Sequence, residues 1–186
     1  MKYSIDVICN DFRKKSKMKC IFFWGHQPSA DGSVTKSCLS QWYDCKFIVD
    51  GVEYHTAEQY MMSQKALLFG DTKINQEIMQ ANHPKQFKDM GRRISGFNEK
   101  VWNENKSDIV IKGNYAKFSQ NPELKGFLIG TYNRILVEAS PYDKIWGIGM
   151  SAVDKNINNP LEWNGENLLG FCLMEVRDML LEGKDD

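Results

Sequence analysis

The sequence predicts a helix-rich α+β fold with a few short strands. Long segments repeat apolar residues at helical spacing, whereas the apolar segments that suit strands are short. The chain has 186 residues, of which 42% are hydrophobic, so a single domain can bury a sizeable core. No internal repeat or long linker interrupts the chain, and it carries no dinucleotide-binding, P-loop or nucleophile-elbow motif.

Local patterns justify the predicted elements in chain order. Residues 20–24 are apolar and aromatic and are followed by Gly25, which favours a buried strand. The next extended segment contains the dipeptide Asp50-Gly51, a hairpin-turn signal. Helices are then predicted over residues 56–69, 72–82, 84–94, 98–118, 122–129 and 164–182, with a further strand at 135–137.

The helix that starts at Thr56 carries the strongest chemical signal. Thr56 is a good N-cap, and Gln59 at the third helical position completes a capping box. Glu58 and Lys65 fall on one face, about 10 Å apart along the axis at about 1.5 Å per residue. An acid and an amine facing one cleft can perform acid/base or amine chemistry. The alternative is a surface pair on a solvated helix face.

Charge and cysteine content limit the function classes. Lys+Arg and Asp+Glu both number 24, so the net charge exerts no overall attraction for nucleic acid or anionic membranes. No apolar segment reaches the length of about 18 residues that spans a bilayer, and the start is too polar for a signal peptide. The five cysteines include no C-x-x-C pair, which indicates reduced thiols in a cytoplasmic protein. The three histidines lack metal-site spacing, so no metal is expected.

The first 19 residues are predicted to be a separate lead-in. They contain a basic run at residues 13–19, which favours a solvated segment. Contact with phosphate groups is the alternative. The predicted domain therefore spans residues 20–186.

Eight segments in a fixed order make the chain similar to the NADAR domain family, which includes the YbiA-like proteins. The segments are SCLSQW (37–42), EQYMMSQKA (58–66), MGR (90–92), Trp102, KFSQN (117–121), LVEASP (136–141), DKIWGIG (143–149) and WNGENLLG (163–170). They cover roughly residues 20–180. The resemblance implies a YbiA-like single domain.

The resemblance also implies an N-glycosidase that cleaves a C–N bond at the anomeric carbon of a ribose. The substrate would be ADP-ribose linked to a guanine base or nucleotide, or alternatively an early riboflavin-pathway intermediate that releases ribose 5-phosphate. A non-catalytic module that binds ADP-ribose or another nucleotide is the alternative from a different class. The expected partner is a small nucleotide-like molecule, with ADP-ribosylated nucleic acid left open. No cofactor, membrane or protein partner is expected.

Three residues are the catalytic candidates under this resemblance. Glu58 would act as acid, base or stabiliser of the oxocarbenium-like sugar. Lys65 would form an imine with the opened ribose, provided that burial lowers its pKa. Asp143 would supply a second carboxylate, and a loop-capping role is its alternative.

Five further residues are the substrate-binding candidates. Trp102 and Trp146 offer ring faces for base stacking. Arg92 offers a forked guanidinium for phosphate, and Gly147 and Asn167 complete the set. The alternatives are a core position for Trp102, a surface ion pair for Arg92 and a tight turn at Gly147.

Overall fold

The computed structural model describes residues 1–183, and within them it contains seven α-helices and four short strands. The helices are α1 Ile5–Arg13, α2 Ala57–Leu68, α3 Thr72–Gln80, α4 Pro84–Gly91, α5 Glu99–Gln120, α6 Pro122–Ile129 and α7 Leu168–Glu182. The strands are β1 Cys20–Phe23, β2 Phe47–Val49, β3 Val52–Tyr54 and β4 Ile135–Glu138. The helix-rich α+β class is therefore confirmed. Residues 184–186 of the predicted domain lie outside the described residues.

The chain divides into two compact units. The first unit comprises Met1–Ser40 and the chain from Glu123 onward, and it contains α1, β1, β4 and α7. The second unit, Gln41–Pro122, contains the β2–β3 pair and helices α2 to α5. The boundary at residue 20 between a lead-in and a domain stays a prediction.

The core of the first unit is a two-stranded parallel pair covered by α7. β1 and β4 are in register from Cys20 opposite Ile135 to Phe23 opposite Glu138. α7 packs against β4 and buries ten of its residues. Gly170 permits this close approach, because a Cβ there would lie 2.0 Å from the carbonyl oxygen of Leu136.

The start of α7 differs from the predicted position at residue 164. The helix begins at Leu168, after Asn167 in the left-handed conformation with φ 55°. Residues 164–167 are instead a loop whose backbone N–H groups bond the carbonyls of the 144–148 segment. Asparagine is a favoured residue directly before a helix, and the sequence offers it at both 164 and 167, so local pattern does not decide between the two starts.

The helix α1 was not among the predicted elements. Ser4 caps it by accepting a hydrogen bond from the N–H of Val7, and Ile8 is buried. Five of the seven residues of the basic run from 13 to 19 carry exposed basic side chains, as a solvated segment would. The basic run begins at Arg13, the last residue of this short helix, and gives residues 1–19 a polar composition that conceals the helix.

The second unit is organised around α2. The β2–β3 hairpin turns at Asp50 and Gly51, both with positive φ, as predicted from that dipeptide. Its residues Phe47 and Tyr54 pack with Tyr60 of α2, and the rings of Tyr54 and Tyr60 meet edge to face at 5.1 Å between centroids. Helices α3, α4 and α5 each pack against α2 as well.

Two glycines allow α2 to be buried so closely. A Cβ at Gly113 of α5 would lie 2.3 Å from a ring carbon of Tyr60. A Cβ at Gly91, the last residue of α4, would lie 2.1 Å from the sulfur of Met62. Eight residues of α2 are consequently buried, Glu58 among them.

Two observations bear on the membrane and cysteine expectations. Among residues 1–183, no helix combines the length and the apolar composition that crossing a bilayer requires. The five cysteines are present as thiols.

We expect Gly165→Ala to lower the free energy of unfolding by about 1–3 kcal/mol, the usual cost of overpacking. A Cβ at residue 165 would lie 2.4 Å from the carbonyl oxygen of Gly147 and 2.8 Å from the Cα of Lys144. The matched control is Gly126→Ala within α6, where a Cβ meets nothing within 4 Å. That substitution should stabilise the helix by about 0.5–1 kcal/mol. Urea unfolding of both variants measures the difference, and equal midpoints would contradict the close packing at Gly165.

Candidate active site

Glu58 occupies the second position of α2 and is held there by its backbone. The N–H of Gln59 donates to the hydroxyl of Thr56 at 3.1 Å, which confirms the predicted N-cap. The amide oxygen of Gln59 accepts from the N–H of His55 at 2.9 Å, one residue before the cap. The N–H of Glu58 donates to the carbonyl of Gln41 at 2.9 Å. Glu58 is only 5% exposed, and its carboxylate lies in the helix turn where the dipole favours negative charge.

Lys65 lies on the same helix in an aromatic environment. Its amine donates to the carbonyl of Gly91 at 2.9 Å, and Nζ lies 4.5 Å from the ring centroid of Phe97 and 5.3 Å from that of Trp102. Burial lowers the pKa of Lys65, whereas the charge of Glu58 acts to raise it. The net direction increases the fraction of neutral amine, which is the form that attacks an electrophilic carbon.

Trp102 and Arg92 are the other two predicted site residues of the second unit. Trp102 is partly buried in α5, and its ring faces the amine of Lys65. Arg92 is exposed at the end of α4 and pairs with Asp89 at 3.2 Å. Exposed ion pairs are worth about 0–1 kcal/mol, so an incoming phosphate can compete for this guanidinium. Stacking by Trp102 and phosphate binding by Arg92 stay predictions.

A buried polar network supports the segment that holds Glu58. The amide of Gln41 donates to Asn114 at 3.1 Å, and Asn114 donates to the carbonyl of Val110 at 2.9 Å. Asn114 and Lys117 are fully buried on α5. The amine of Lys117 lies 5.6 Å from the ring centroid of Tyr43. Residues 41–43 thus connect the start of α2 with the polar side of α5.

Sequence reasoning assigned no role to four of these residues. Gln41 and Lys117 lie within the segments that carry the family resemblance, and that position was the available signal. Asn114 gave no signal, because an asparagine within a helix is common on solvated faces. Phe97 follows Gly96, which has a positive φ, so its position is determined by a turn between α4 and α5.

In the first unit, Asp143 and Trp146 lie in one tight turn that follows β4. One carboxylate oxygen of Asp143 accepts from the N–H of Ile145 at 3.0 Å and from that of Trp146 at 2.8 Å. These bonds are the loop-capping contacts of the alternative interpretation. Trp146 is partly buried, and its carbonyl accepts from the N–H of Leu169 at 3.1 Å.

Gly147 and Asn167 are both buried beside this turn. A Cβ at Gly147 would lie 2.9 Å from the carbonyl oxygen of Glu138, so close packing explains the glycine. The amide of Asn167 accepts from the N–H of Glu138 and donates to the carbonyl of Leu136, both at 2.9 Å. These contacts show how Asn167 positions the loop, and its contact with substrate stays a prediction.

The eight predicted site residues therefore fall into two groups. Glu58, Lys65, Arg92 and Trp102 belong to the second unit, and Asp143, Trp146, Gly147 and Asn167 belong to the first. Within the second unit, the Lys65 amine lies 5.3 Å from the ring centroid of Trp102, and the charge of Glu58 acts to raise its pKa. Within the first, the Asp143 carboxylate bonds the backbone of Trp146. Across residues 1–183, no three histidine, cysteine or acidic residues are grouped as metal ligands.

Comparison with known proteins gives consistent matches over most of the chain. A family model described as the NADAR domain matches residues 22–181. N-glycosidase R617 of Acanthamoeba polyphaga mimivirus is 45% identical over 166 residues, which are 86% of this chain and 95% of that protein. N-glycosidase YbiA of Escherichia coli strain K12 is 35% identical over 132 residues, 71% of this chain and 74% of YbiA. The NMR structure of E. coli YbiA superposes with a TM-score of 0.72 at 29% identity, covering 91% of this chain and 89% of that chain.

We expect Phe97→Ala to raise the pKa of Lys65, because water will then reach the amine and burial is the larger cause of the lowered pKa. Loss of the ring also removes a cation–π attraction worth about 0.5–1 kcal/mol, which acts in the opposite direction. The pH dependence of acylation of Lys65, followed by peptide mass analysis, measures the pKa, because only the neutral amine reacts.

The control is Tyr115→Ala. Tyr115 is an exposed residue of α5 and lies about 20 Å along the helix axis from Trp102, at about 1.5 Å per residue. This control variant should leave the pH midpoint of Lys65 acylation unchanged. A downward shift in Phe97→Ala would mean that the ring stabilises the ammonium more than it excludes water.

Proposed function

The chain belongs to the NADAR domain family, and from this premise we propose that it is an N-glycosidase that removes ADP-ribose from guanine bases or nucleotides. Its relatives R617 and YbiA are named as N-glycosidases, which supports a hydrolase of N-glycosyl compounds. The observation that carries the proposal is the amine of Lys65, with its lowered pKa, on the same helix as the buried Glu58.

Cleavage of an N-glycosidic bond needs help at both ends of the bond. Positive charge develops on the sugar and negative charge on the departing base. The carboxylate of Glu58 can stabilise the first or supply a proton to the second. Proton transfer by a positioned side chain typically contributes about 10²–10⁴ in rate.

Lys65 gives the reaction a covalent route. Its neutral amine forms a bond to C1′ while the C1′–N bond to guanine breaks, and the departing nitrogen takes a proton. The sugar ring then opens as the amine nitrogen forms a double bond to C1′ and O4′ leaves and is protonated. Water adds to the imine carbon and releases ADP-ribose, which restores the amine.

The electrostatics of Lys65 suit this route. An ordinary lysine has a pKa of about 10.4 and is almost entirely protonated near neutral pH. Burial opposes the charged form, whereas Glu58 favours it. A protonated Glu58 would carry no charge, which would leave burial as the cause that acts on the pKa of Lys65. Glu58 would then be in the protonation state that can donate to the departing base.

We expect Glu58→Gln to lower kcat by about 10²–10⁴ while the protein stays folded, because the variant loses the acid/base group. Hydrolysis of a guanine nucleotide that carries ADP-ribose measures the change. The control is Glu53→Gln, whose carboxylate is 49% exposed on β3 and pairs with Lys46. It should retain the wild-type rate.

Three substrate arms distinguish the candidate functions. Release of ADP-ribose from guanine supports the proposal, and release of ribose 5-phosphate from a pyrimidine ribosyl phosphate supports the riboflavin-intermediate alternative. Binding of ADP-ribose without turnover of either substrate supports a non-catalytic module. Wild-type turnover by a folded Glu58→Gln variant would remove Glu58 from the mechanism.

We expect borohydride added during turnover to attach the sugar to Lys65, because it reduces the imine to a stable amine. Mass analysis of the peptide that contains residue 65 should show the added mass. Lys65→Arg keeps the positive charge but forms no imine, so it should lose both the adduct and the turnover. Lys112→Arg, at an exposed lysine paired with Asp50, is the control and should retain both. Product formation without an adduct would favour direct attack by water.

A further inference from the structure

Of the two rings that face the amine of Lys65, that of Phe97 is the nearer. Its centroid lies 4.5 Å from Nζ, whereas that of Trp102 lies 5.3 Å away. Phe97 is 46% exposed, so part of the ring covers the amine and part is open to solvent. Single exposed apolar residues are common on protein surfaces, and a role for this one therefore needs further observations. Phe97, Lys65 and Trp102 all belong to the second unit.

The chain on both sides of Phe97 holds the ring in place despite its exposure. The N–H and the hydroxyl of Ser95 donate to one carboxylate oxygen of Asp71, at 2.9 and 2.8 Å. Gly96 has φ 67°, in the left-handed region that favours glycine, and the side chain of Asn98 caps α5. A surface that is already ordered loses little conformational entropy when it binds a ligand.

A second aromatic ring supports that of Phe97. The ring of Phe69, which directly follows α2, meets it edge to face at 5.3 Å between centroids, with the planes inclined at 64°. Aromatic pairs favour this arrangement. Lys65 lies about one helical turn before Phe69, so the same helix carries the amine and leads into the residue that supports the ring beside it.

The surroundings of the amine limit the direction from which a substrate approaches it. Lys65 donates to the carbonyl of Gly91 at 2.9 Å, and the two rings lie on other sides of Nζ. In the mechanism above, C1′ of the ribose comes within about 3–3.5 Å of Nζ. For any approach at up to a right angle to the line from Nζ to the Phe97 centroid, C1′ also lies within about 6 Å of that centroid. This is the range over which the face of a ring attracts a cation.

Positive charge at C1′ gives this contact a chemical consequence. The transition state of N-glycosidic cleavage resembles an oxocarbenium ion, so the sugar is more positive there than in the bound substrate. The face of an aromatic ring carries partial negative charge and attracts a cation most strongly where water is excluded. An interaction that strengthens as the charge develops raises kcat, whereas an interaction of constant strength only lowers KM.

We propose that Phe97 is a catalytic residue whose ring contacts the ribose and stabilises the positive charge that develops at C1′. This inference rests on the proposed function. It gives the sugar a second source of stabilisation beside the carboxylate of Glu58. The ring acts through the electron density of its face, so a change in that density at constant shape should change the rate.

Fluorinated phenylalanines at position 97 test this role, because fluorine withdraws electron density from the ring face and leaves the shape of the side chain nearly unchanged. We expect the single-turnover rate of base release to fall stepwise with one, two and three fluorines. The loss should reach about tenfold at three, which corresponds to about 1.4 kcal/mol. Phe97→Leu, which is apolar but has no ring, should lose at least as much. Equal rates throughout the fluorinated series would overturn the proposal, and the ring would then only cover the amine.

A change in the protonation of Lys65 acts in the opposite direction. Fluorine also weakens the attraction of the ring for the ammonium, which lowers the pKa of Lys65 and leaves more neutral amine. That effect raises the rate and moves the pH profile of the reaction without lowering its pH-independent limit. Single-turnover rates over a range of pH separate the two effects. A profile that moves along the pH axis at constant height would overturn the proposal.

The matched control is the same set of fluorinated phenylalanines at Phe127. This residue is partly buried in α6, which belongs to the first unit, and it takes no part in either proposal. The substitutions there should leave the rate unchanged. Equal losses at both positions would indicate a general effect of fluorination and overturn the proposal.

A charged ligand tests the ring without turnover. The probe is an ADP-ribose analogue in which a protonated secondary amine replaces the ring oxygen of the terminal ribose. Its neutral counterpart keeps that oxygen, and both lack the hydroxyl group at C1′. Three fluorines on Phe97 should weaken binding of the charged analogue about tenfold and leave binding of the neutral one unchanged, as measured by calorimetric titration. Thermal unfolding shows that the variants remain folded, and equal effects on both analogues would overturn the proposal.

The two proposals fail in different ways. If wild-type protein releases no base from any substrate, but fluorination weakens binding of the charged analogue alone, the proposed catalysis fails and the charge-stabilising contact stands. If turnover is normal and fluorination changes neither rate nor binding, the contact fails and the proposed function stands. Wild-type protein that binds neither analogue would overturn the contact, whatever its turnover.

Discussion

The burial of α2 is the constraint on which the chemistry of the second unit depends. Gly91 and Gly113 allow side chains of α2 to approach α4 and α5 at distances that no Cβ would tolerate. Burial at this density places a carboxylate in the first turn of α2 at 5% exposure. It also withdraws the amine of Lys65 from water and so lowers its pKa. The lowered pKa of Lys65 is thus a consequence of how closely the helices pack.

Opposing effects determine the protonation state of that amine. Desolvation disfavours the ammonium, whereas the rings of Phe97 and Trp102 and the charge of Glu58 favour it. Because desolvation is the largest cause, the pKa falls. The remaining charge attraction keeps Lys65 responsive to the protonation of Glu58.

The first unit orders its loops through a side chain that takes the place of a neighbouring strand. The amide of Asn167 bonds the carbonyl of Leu136 and the N–H of Glu138, as the backbone of a paired strand would. Gly170 leaves room for this arrangement, since a Cβ there would lie 2.6 Å from the Asn167 amide nitrogen. The turn that carries Asp143 and Tyr142 is consequently held beside β4 without a third strand.

The sequence by itself determined the features that depend on residues only a few positions apart in the chain. The Asp50-Gly51 hairpin, the Thr56 cap and the strand at β4 follow from local dihedral preferences and hydrogen bonds, and the structure confirms them. Glu58 and Lys65 could be paired as candidates because helical spacing is regular. Tertiary structure alone decided that α7 starts at Leu168, that Phe97 lies over Lys65 and that Gln41 bonds Asn114. Each of these depends on contacts between residues distant in the sequence, which local pattern does not encode.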